Sequence, residues 1–314
     1  MRAREIGMLV VLAALWGGSF LFIRVAAPVL GPFALIAARV LLAGVALLAY
    51  AHIAGHRPAL RARWRDFLAL GALNAALPFT LIAAAELRLS ASLAAILNAT
   101  TPLFAAVIAT RWTGEPLPRG KRIGLALGVL GVAVLVGWSP LTLDGRTVLA
   151  VGASLLAALC YALGGVYAAE RFRATPPLTL AIGQQLAAGL LLLTPAAFTL
   201  PPARPAPAVA LAVAALALLS TALGYLLYFA LIARVGPTNT LSVTFLVPAF
   251  GLLWGALFLG EAVGTGTMVG LALVLLSVTL VTGLRVRLGG AGCRRRGNTA
   301  EAAAEEQTRS RSAR

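Results

Sequence analysis

The stretch from Pro102 to Gly137 is written twice in this chain. Pro102, Phe104, Gly114-Glu115, Gly120 and Gly124-Leu125-Ala126-Leu127 return 146 residues later. There they read Pro248, Phe250, Gly260-Glu261, Gly266 and Gly270-Leu271-Ala272-Leu273. No insertion or deletion is needed, and Arg88 falls on Arg234 in the same register. Shared Leu and Ala carry little weight in apolar helices, whereas Pro, Gly-Glu and paired Gly in one unbroken register do. The chain reads as two copies of one unit.

Composition says where that unit lives. The 314 residues are 60% hydrophobic and 11% charged, with mean hydropathy +0.93, far from an ordinary soluble domain. Apolar runs of about 20 residues, the length that crosses a bilayer, recur near 5–23, 32–53, 66–86, 91–111, 121–138, 148–168, 178–199, 208–232, 238–259 and 265–284. The fold class expected is therefore an all-α integral membrane protein. Ten transmembrane helices form two five-helix repeats, 1–138 and 147–284, and residues 285–314 form a disordered basic tail. Strict alternation of the kind a β-barrel needs is absent.

The formal charge of +16 points to orientation rather than to nucleic acid. Of the 26 Lys and Arg, 21 fall in the N-terminus, the tail and the loops of one side. Only Arg24, Arg88, Arg146 and Arg204 fall on the other, and Arg39 alone lies within a span. This is the positive-inside bias, with both termini cytoplasmic. Five spans per copy insert the second copy upside down. The 4–5 connection, with Arg111, Arg119, Lys121 and Arg122, is accordingly basic, while the 9–10 connection around Glu261 has no Lys or Arg. Inverted repeats of this kind are common in secondary transporters, which bind solute near the midplane between repeats.

Polar residues within the spans locate a candidate site. Asn74 precedes Pro78 by four residues, and Asn98 precedes Pro102 by four. Proline has no N–H to bond the carbonyl four residues back, so both carbonyls lose their helical partners. At the offset of 146, Ser220 precedes Gly224 and Thr244 precedes Pro248. Asn74, Asn98, Ser220 and Thr244 are expected to line a midplane cavity, with Trp16, Tyr161 and Tyr225 as walls and Pro78, Pro102, Gly224 and Pro248 as hinges. Arg39 has two readings: a counter-charge for a substrate carboxylate or phosphate, or a structural Arg that snorkels or pairs with Glu86. Gln184 near its repeat position favours the structural one. Spans 5 and 10, with Gly124, Gly128, Gly131, Gly266 and Gly270, carry small-residue faces and read as scaffold. Ser277 belongs to that scaffold.

Trp16-Gly17-Gly18-Ser19-Phe20, the Pro102 and Pro248 spans, and Gly114-Glu115 and Gly260-Glu261 together resemble the drug/metabolite transporter superfamily, specifically its ten-helix EamA-like members. The resemblance covers residues 6–284. It implies a prokaryotic inner-membrane exporter of amino acids or related small metabolites, with a central cavity and spans 5 and 10 at the periphery. The four-helix relatives that exchange cationic drugs for protons use a membrane-embedded Glu. Here Glu5, Asp66, Glu86, Glu115, Glu170 and Glu261 all read as span ends. A neutral or zwitterionic solute is the expected partner, besides the lipid bilayer, and no cofactor, metal or nucleic acid is implied. Two other classes compete with this reading. An intramembrane enzyme acting on lipid needs a positioned base, nucleophile or metal, and no span holds a His, Asp or Glu away from its ends. A non-transporting assembly or sensor subunit does not call for midplane polar positions.

Overall fold

A computed structural model describes residues 2–113, 117–138, 144–201, 204–240 and 242–283. Among them the chain is helical throughout, with no strand. The Gly114-Glu115 pair of the repeat and the tail from residue 285 lie outside the described residues. Eight helices are long and apolar enough to cross a membrane: Ala3–Ile53, Arg61–Ala85, Ala91–Arg111, Arg119–Gly137, Gly145–Arg171, Pro177–Ala197, Pro207–Gly236 and Thr265–Thr282. Val243–Leu259 is a shorter apolar helix of 17 residues. The first of the eight is two helices joined at Gly31, whose φ of 72° and ψ of 160° are not helical. With that turn counted, the described residues hold ten apolar segments, in the order the hydropathy predicts. They are called spans 1 to 10 below.

The Gly31-Pro32 turn corrects one expectation. Span 1 was expected to end near residue 23 but continues to residue 30, since glycine adopts the left-handed φ that stops the helix. Arg24, expected in an outer loop, therefore sits within the helix. The same device, Gly236 at φ 81° and ψ 164° followed by Pro237, closes span 8.

Helices begin and end where backbone groups find partners. Asp144 accepts from the Thr147 N–H at 2.7 Å at the start of span 6. That bond, with the Thr147 side chain, holds its carboxyl below the usual range. Span 4 starts with three satisfied donors. Ser90 Oγ accepts from Leu93 N–H at 3.1 Å, and Glu261, from the turn after span 9, accepts from the N–H groups of Ala91 (2.6 Å) and Ser92 (3.0 Å). The Ser92 hydroxyl donates to the same carboxylate at 2.5 Å. A residue of the second copy thus caps a helix of the first.

Spans 5 and 10 pack on each other through glycine. A Cβ on Gly124 would lie 2.7 Å from Val281 Cγ2 and 3.0 Å from the Ser277 carbonyl oxygen, and one on Gly131 would lie 3.0 Å from Val274 N. Ser277 is fully buried and donates to the Gly124 carbonyl at 2.5 Å. Close backbone approach of this kind is what holds helices together in lipid, where apolar burial gives no net drive. The main core instead surrounds span 1, with Leu12, Ile23, Leu35 and Ile36 fully buried. There Gly17 lies against span 9, with its ideal Cβ 2.8 Å from Gly251 N.

Candidate functional site

Spans 3 and 8 both leave the α pattern in their middles. Ala72–Ala76 and Leu216–Leu223 are π-helical, and the first, shifted by 146, falls inside the second. In each, the N–H that follows bonds five residues back: Leu77 to Ala72 and Gly224 to Leu219. In span 3 the physical cause is Pro78, which removes one donor and leaves the ladder to be re-closed with an i→i+5 step. Asn74 and Ser220 lie inside these two segments; Pro78 comes two residues after the first, and Gly224 directly follows the second.

The widened turns hold polar side chains in the interior. Asn74 Nδ2 donates to Gln184 Oε1 of span 7 at 2.9 Å, and the Asn74 side chain rests on Gly164 of span 6, whose ideal Cβ would be 3.2 Å from Asn74 Cβ. Arg39 of span 2 is 5% exposed. Its Nε donates to Thr221 Oγ1 at 2.9 Å, and Thr221 donates in turn to the Leu216 carbonyl at 2.8 Å. The Arg39 guanidinium also stacks 3.6 Å from the centre of the Phe79 ring, a contact worth about 2 kcal/mol or more when desolvated. The expected alternative partner, Glu86, is not bonded to it. The one ion pair among the described residues is Arg63–Asp66, at 2.9 Å.

Aromatic rings join these groups. Phe79 meets Tyr161 edge-on at 6.1 Å, Trp16 lies 5.3 Å from Tyr228, and Tyr225 stacks on Phe229 at 5.8 Å. Tyr161 and Tyr225 both lie within electrostatic range of Arg39. Trp16 is set by Gly224: a Cβ there would come within 2.6 Å of Trp16 Nε1. Arg39, Thr221, Phe79, Tyr161 and Tyr225 therefore form one interior cluster; Asn74 shares span 3 with Phe79, and its partner Gln184 is on span 7. A planar cation with one nitrogen held and one face covered has its two terminal nitrogens directed elsewhere, the geometry that takes a carboxylate.

The remaining expected residues stand apart or differ. Ser220 is 1% exposed, and its hydroxyl has no partner among the described residues. Asn98 ends the first piece of span 4, which is split into Ala91–Asn98 and Thr101–Thr113. Its carbonyl accepts from the Thr101 hydroxyl at 2.8 Å, while its buried Oδ1 has no partner among the described residues. No described contact links Asn98 to the Arg39 cluster. Pro102 is the second residue of the piece that follows the break. Pro248, expected as a hinge, lies inside the continuous helix Val243–Leu259. The interruption in that region precedes Val243 and so falls about one turn earlier in repeat register than the break in span 4. An open groove of about 520 Å³ beside Leu48, His52 and Arg57 is at the far end of span 2 and has no part in the cluster.

Phe79, Gln184 and Thr221 were not among the expected site residues. One signal was available: Phe79 is the repeat counterpart of Tyr225 at the offset of 146, so the two rings beside Arg39 occupy equivalent positions. Nothing in the sequence pairs Arg39 with Thr221, because that contact depends on how the copies pack.

The model of the EamA-like transporter family matches this chain twice, over residues 4–137 and 148–283. The chain is 28% identical over 292 residues to the uncharacterized inner membrane transporter YedA of Escherichia coli strain K12, covering 90% of this chain and 93% of the relative. It is 27% identical over 284 residues to the uncharacterized transporter YvbV of Bacillus subtilis, covering 89% and 92%. A chloroplastic WAT1-related protein of Arabidopsis thaliana is 29% identical over 278 residues, covering 85% of this chain and 66% of its own length. One solved crystal structure superposes with a TM-score of 0.66 at 19% identity, covering 92% of this chain and all of that one, which shows the shared fold. Two matches of one family model, meeting between spans 5 and 6, and a helical membrane fold shared with a solved structure make this chain a member of the EamA-like transporter family.

Proposed function

We propose that this protein is a secondary transporter of the inner membrane that exports a small zwitterionic metabolite, such as an amino acid, by alternating access. The single observation that carries the reading is the buried Arg39 guanidinium, fixed through Nε by Thr221 and along one face by Phe79. A charge at that depth is costly and marks a solute path by default. Its free edge suits a carboxylate. The Tyr161, Tyr225 and Trp16 rings supply apolar walls, and the Asn74–Gln184 pair and the Ser220 hydroxyl offer neutral oxygens to an ammonium group. Asn98 and Thr244 extend the path along spans 4 and 9, and the two copies, inserted in opposite senses, rock about the π turns. Both termini are cytoplasmic in this reading, in keeping with the charge bias of the loops. The inner membrane is supported by the name of the Escherichia coli relative.

The test is efflux from proteoliposomes loaded with a panel of labelled amino acids. At least one is expected to leave faster than from protein-free vesicles. Arg39→Gln should raise its KM by at least about tenfold, the value of one charge-assisted hydrogen bond of roughly 1.5 kcal/mol, and Arg39→Lys should keep part of the activity. Wild-type efflux by Arg39→Gln at equal incorporation would remove the carboxylate reading.

A further inference from the structure

Glu86 follows the last residue of span 3 and reads in the sequence as a span end. In the fold it is fully buried. Neither carboxylate oxygen has a hydrogen-bond partner among the described residues. The charged groups that face it are Arg24 of span 1, Arg39 of span 2 and Glu261 of the turn after span 9. None of them bonds its carboxylate. Arg24 Nη1 donates to the backbone carbonyl of Glu86 instead. Arg39 is held by Thr221. Both Glu261 oxygens are occupied by the start of span 4, through Ala91 N, Ser92 N and Ser92 Oγ. A buried carboxylate ion without hydrogen bonds is so costly that the group takes a proton instead; the Arg24 and Arg39 charges oppose this and the Glu261 charge favours it, but burial dominates.

We propose that Glu86 is a proton-binding site tied to the junction between span 4 and the Glu261 turn, protonated while that junction is closed and ionised when it opens. The junction joins the two copies by hydrogen bonds to one carboxylate. When these bonds break, water reaches the end of span 3 and Arg24 is free to turn from the Glu86 carbonyl to its carboxylate. The Glu86 O–H then breaks, the proton passes to water, and the ion that remains pairs with Arg24. Closing reverses each step and takes one proton from the aqueous phase at that end. In a transporter, the reading on which this rests, each closure of that end therefore binds a proton. The linkage sign follows: Glu86 has its higher proton affinity in the closed arrangement, so acid favours closure and alkali favours opening.

The test needs no solute. Infrared spectra of the purified full chain should show the carbonyl stretch of a protonated carboxylic acid at about pH 7, where ordinary carboxyls are ionised. The band should vanish in Glu86→Gln and persist in Glu5→Gln. In a chain with both cysteines replaced by alanine, Ser92→Cys reports opening through an impermeant thiol reagent. The labelling rate, divided by the rate in the same chain carrying Glu86→Gln, should rise by up to roughly tenfold per pH unit once the closed-state proton begins to be lost on opening. Absence of the protonated band from the unmutated chain at about pH 7 overturns the proposal without any variant. An equal pH dependence with and without Glu86→Gln overturns the link to the junction. If both signatures appear while no solute leaves the proteoliposomes, the proton site stands and the export reading fails.

Discussion

Spans 3 and 8 break their α pattern at equivalent places, and spans 4 and 9 do not. In the first pair the π segments Ala72–Ala76 and Leu216–Leu223 overlap at the repeat offset, although one is followed by proline and the other by glycine. In the second pair both members keep the proline, yet span 4 breaks just before Pro102 while Pro248 sits inside an unbroken helix. A proline frees a carbonyl, but the surroundings decide whether the helix widens, breaks or only bends there. Features that coincide in both copies belong to the unit itself. Features that differ belong to the one arrangement in which the two copies are packed, and in the alternating-access reading proposed above they are where one arrangement would give way to the other.

The sharpest way to break this comparison is at Gly224. Pro78 is its repeat counterpart, and Gly224 has a ring against it, with Trp16 Nε1 2.6 Å from the ideal Cβ. Gly224→Leu must displace Trp16 from Tyr228 at an overpacking cost of about 1–3 kcal/mol. Efflux should fall below detection. Near-normal efflux at equal membrane abundance would mean that the Trp16 wall is not part of the path.

A smaller effect separates spans 4 and 9. Pro102→Ala restores a donor beside the break and favours fusion of Ala91–Asn98 with Thr101–Thr113. Pro248→Ala acts on a helix that is already continuous. Efflux should drop more for Pro102→Ala, by roughly tenfold for a change of about 1.4 kcal/mol in the balance of the two arrangements. Equal losses in the two variants would show that the difference between these spans has no functional weight.

Asn74→Ala and Gln184→Ala should each weaken efflux modestly. Their double-mutant cycle in thermal unfolding should give a coupling near about 0.6 kcal/mol, the mean for interhelical hydrogen bonds in membranes. Full additivity would place the two side chains out of contact. Least affected of all is efflux by Ser277→Ala. Among the described residues that hydroxyl bonds only the Gly124 carbonyl, so its loss should lower stability by about 1 kcal/mol and leave transport unchanged. Abolished efflux there, with Asn98→Ala active, would reverse the assignment of scaffold and path.

The order of the spans and their repetition were legible in the sequence because hydropathy and a constant offset report them directly. Glycine faces on spans 5 and 10 were legible for the same reason, as spacing alone exposes them. Where a span ends was less so. Span 1 outran its expected length because the hydropathy dip at Arg24 precedes the true turn at Gly31. The freed carbonyl at Asn74 was predictable from Pro78. The π segment of span 8 was not, because no proline marks it. Arg39 drew attention as a lone charge, but its partners Thr221 and Phe79 come from other spans and leave no trace in local pattern. Glu86 shows the limit most clearly: its place at a span end suggested water, and only the fold shows it fully buried.

The pairing of spans 5 and 10 sets a timetable for assembly. Span 5 leaves the ribosome with its glycine face complete, but the surface it fits, Leu273 to Val281, has yet to be made. At translation rates of about 5–20 residues per second, the intervening chain of roughly 130 residues delays that surface by on the order of ten seconds. Until then the first copy stands in lipid with one helix unmatched, and it is the tenth of these spans that completes the first half.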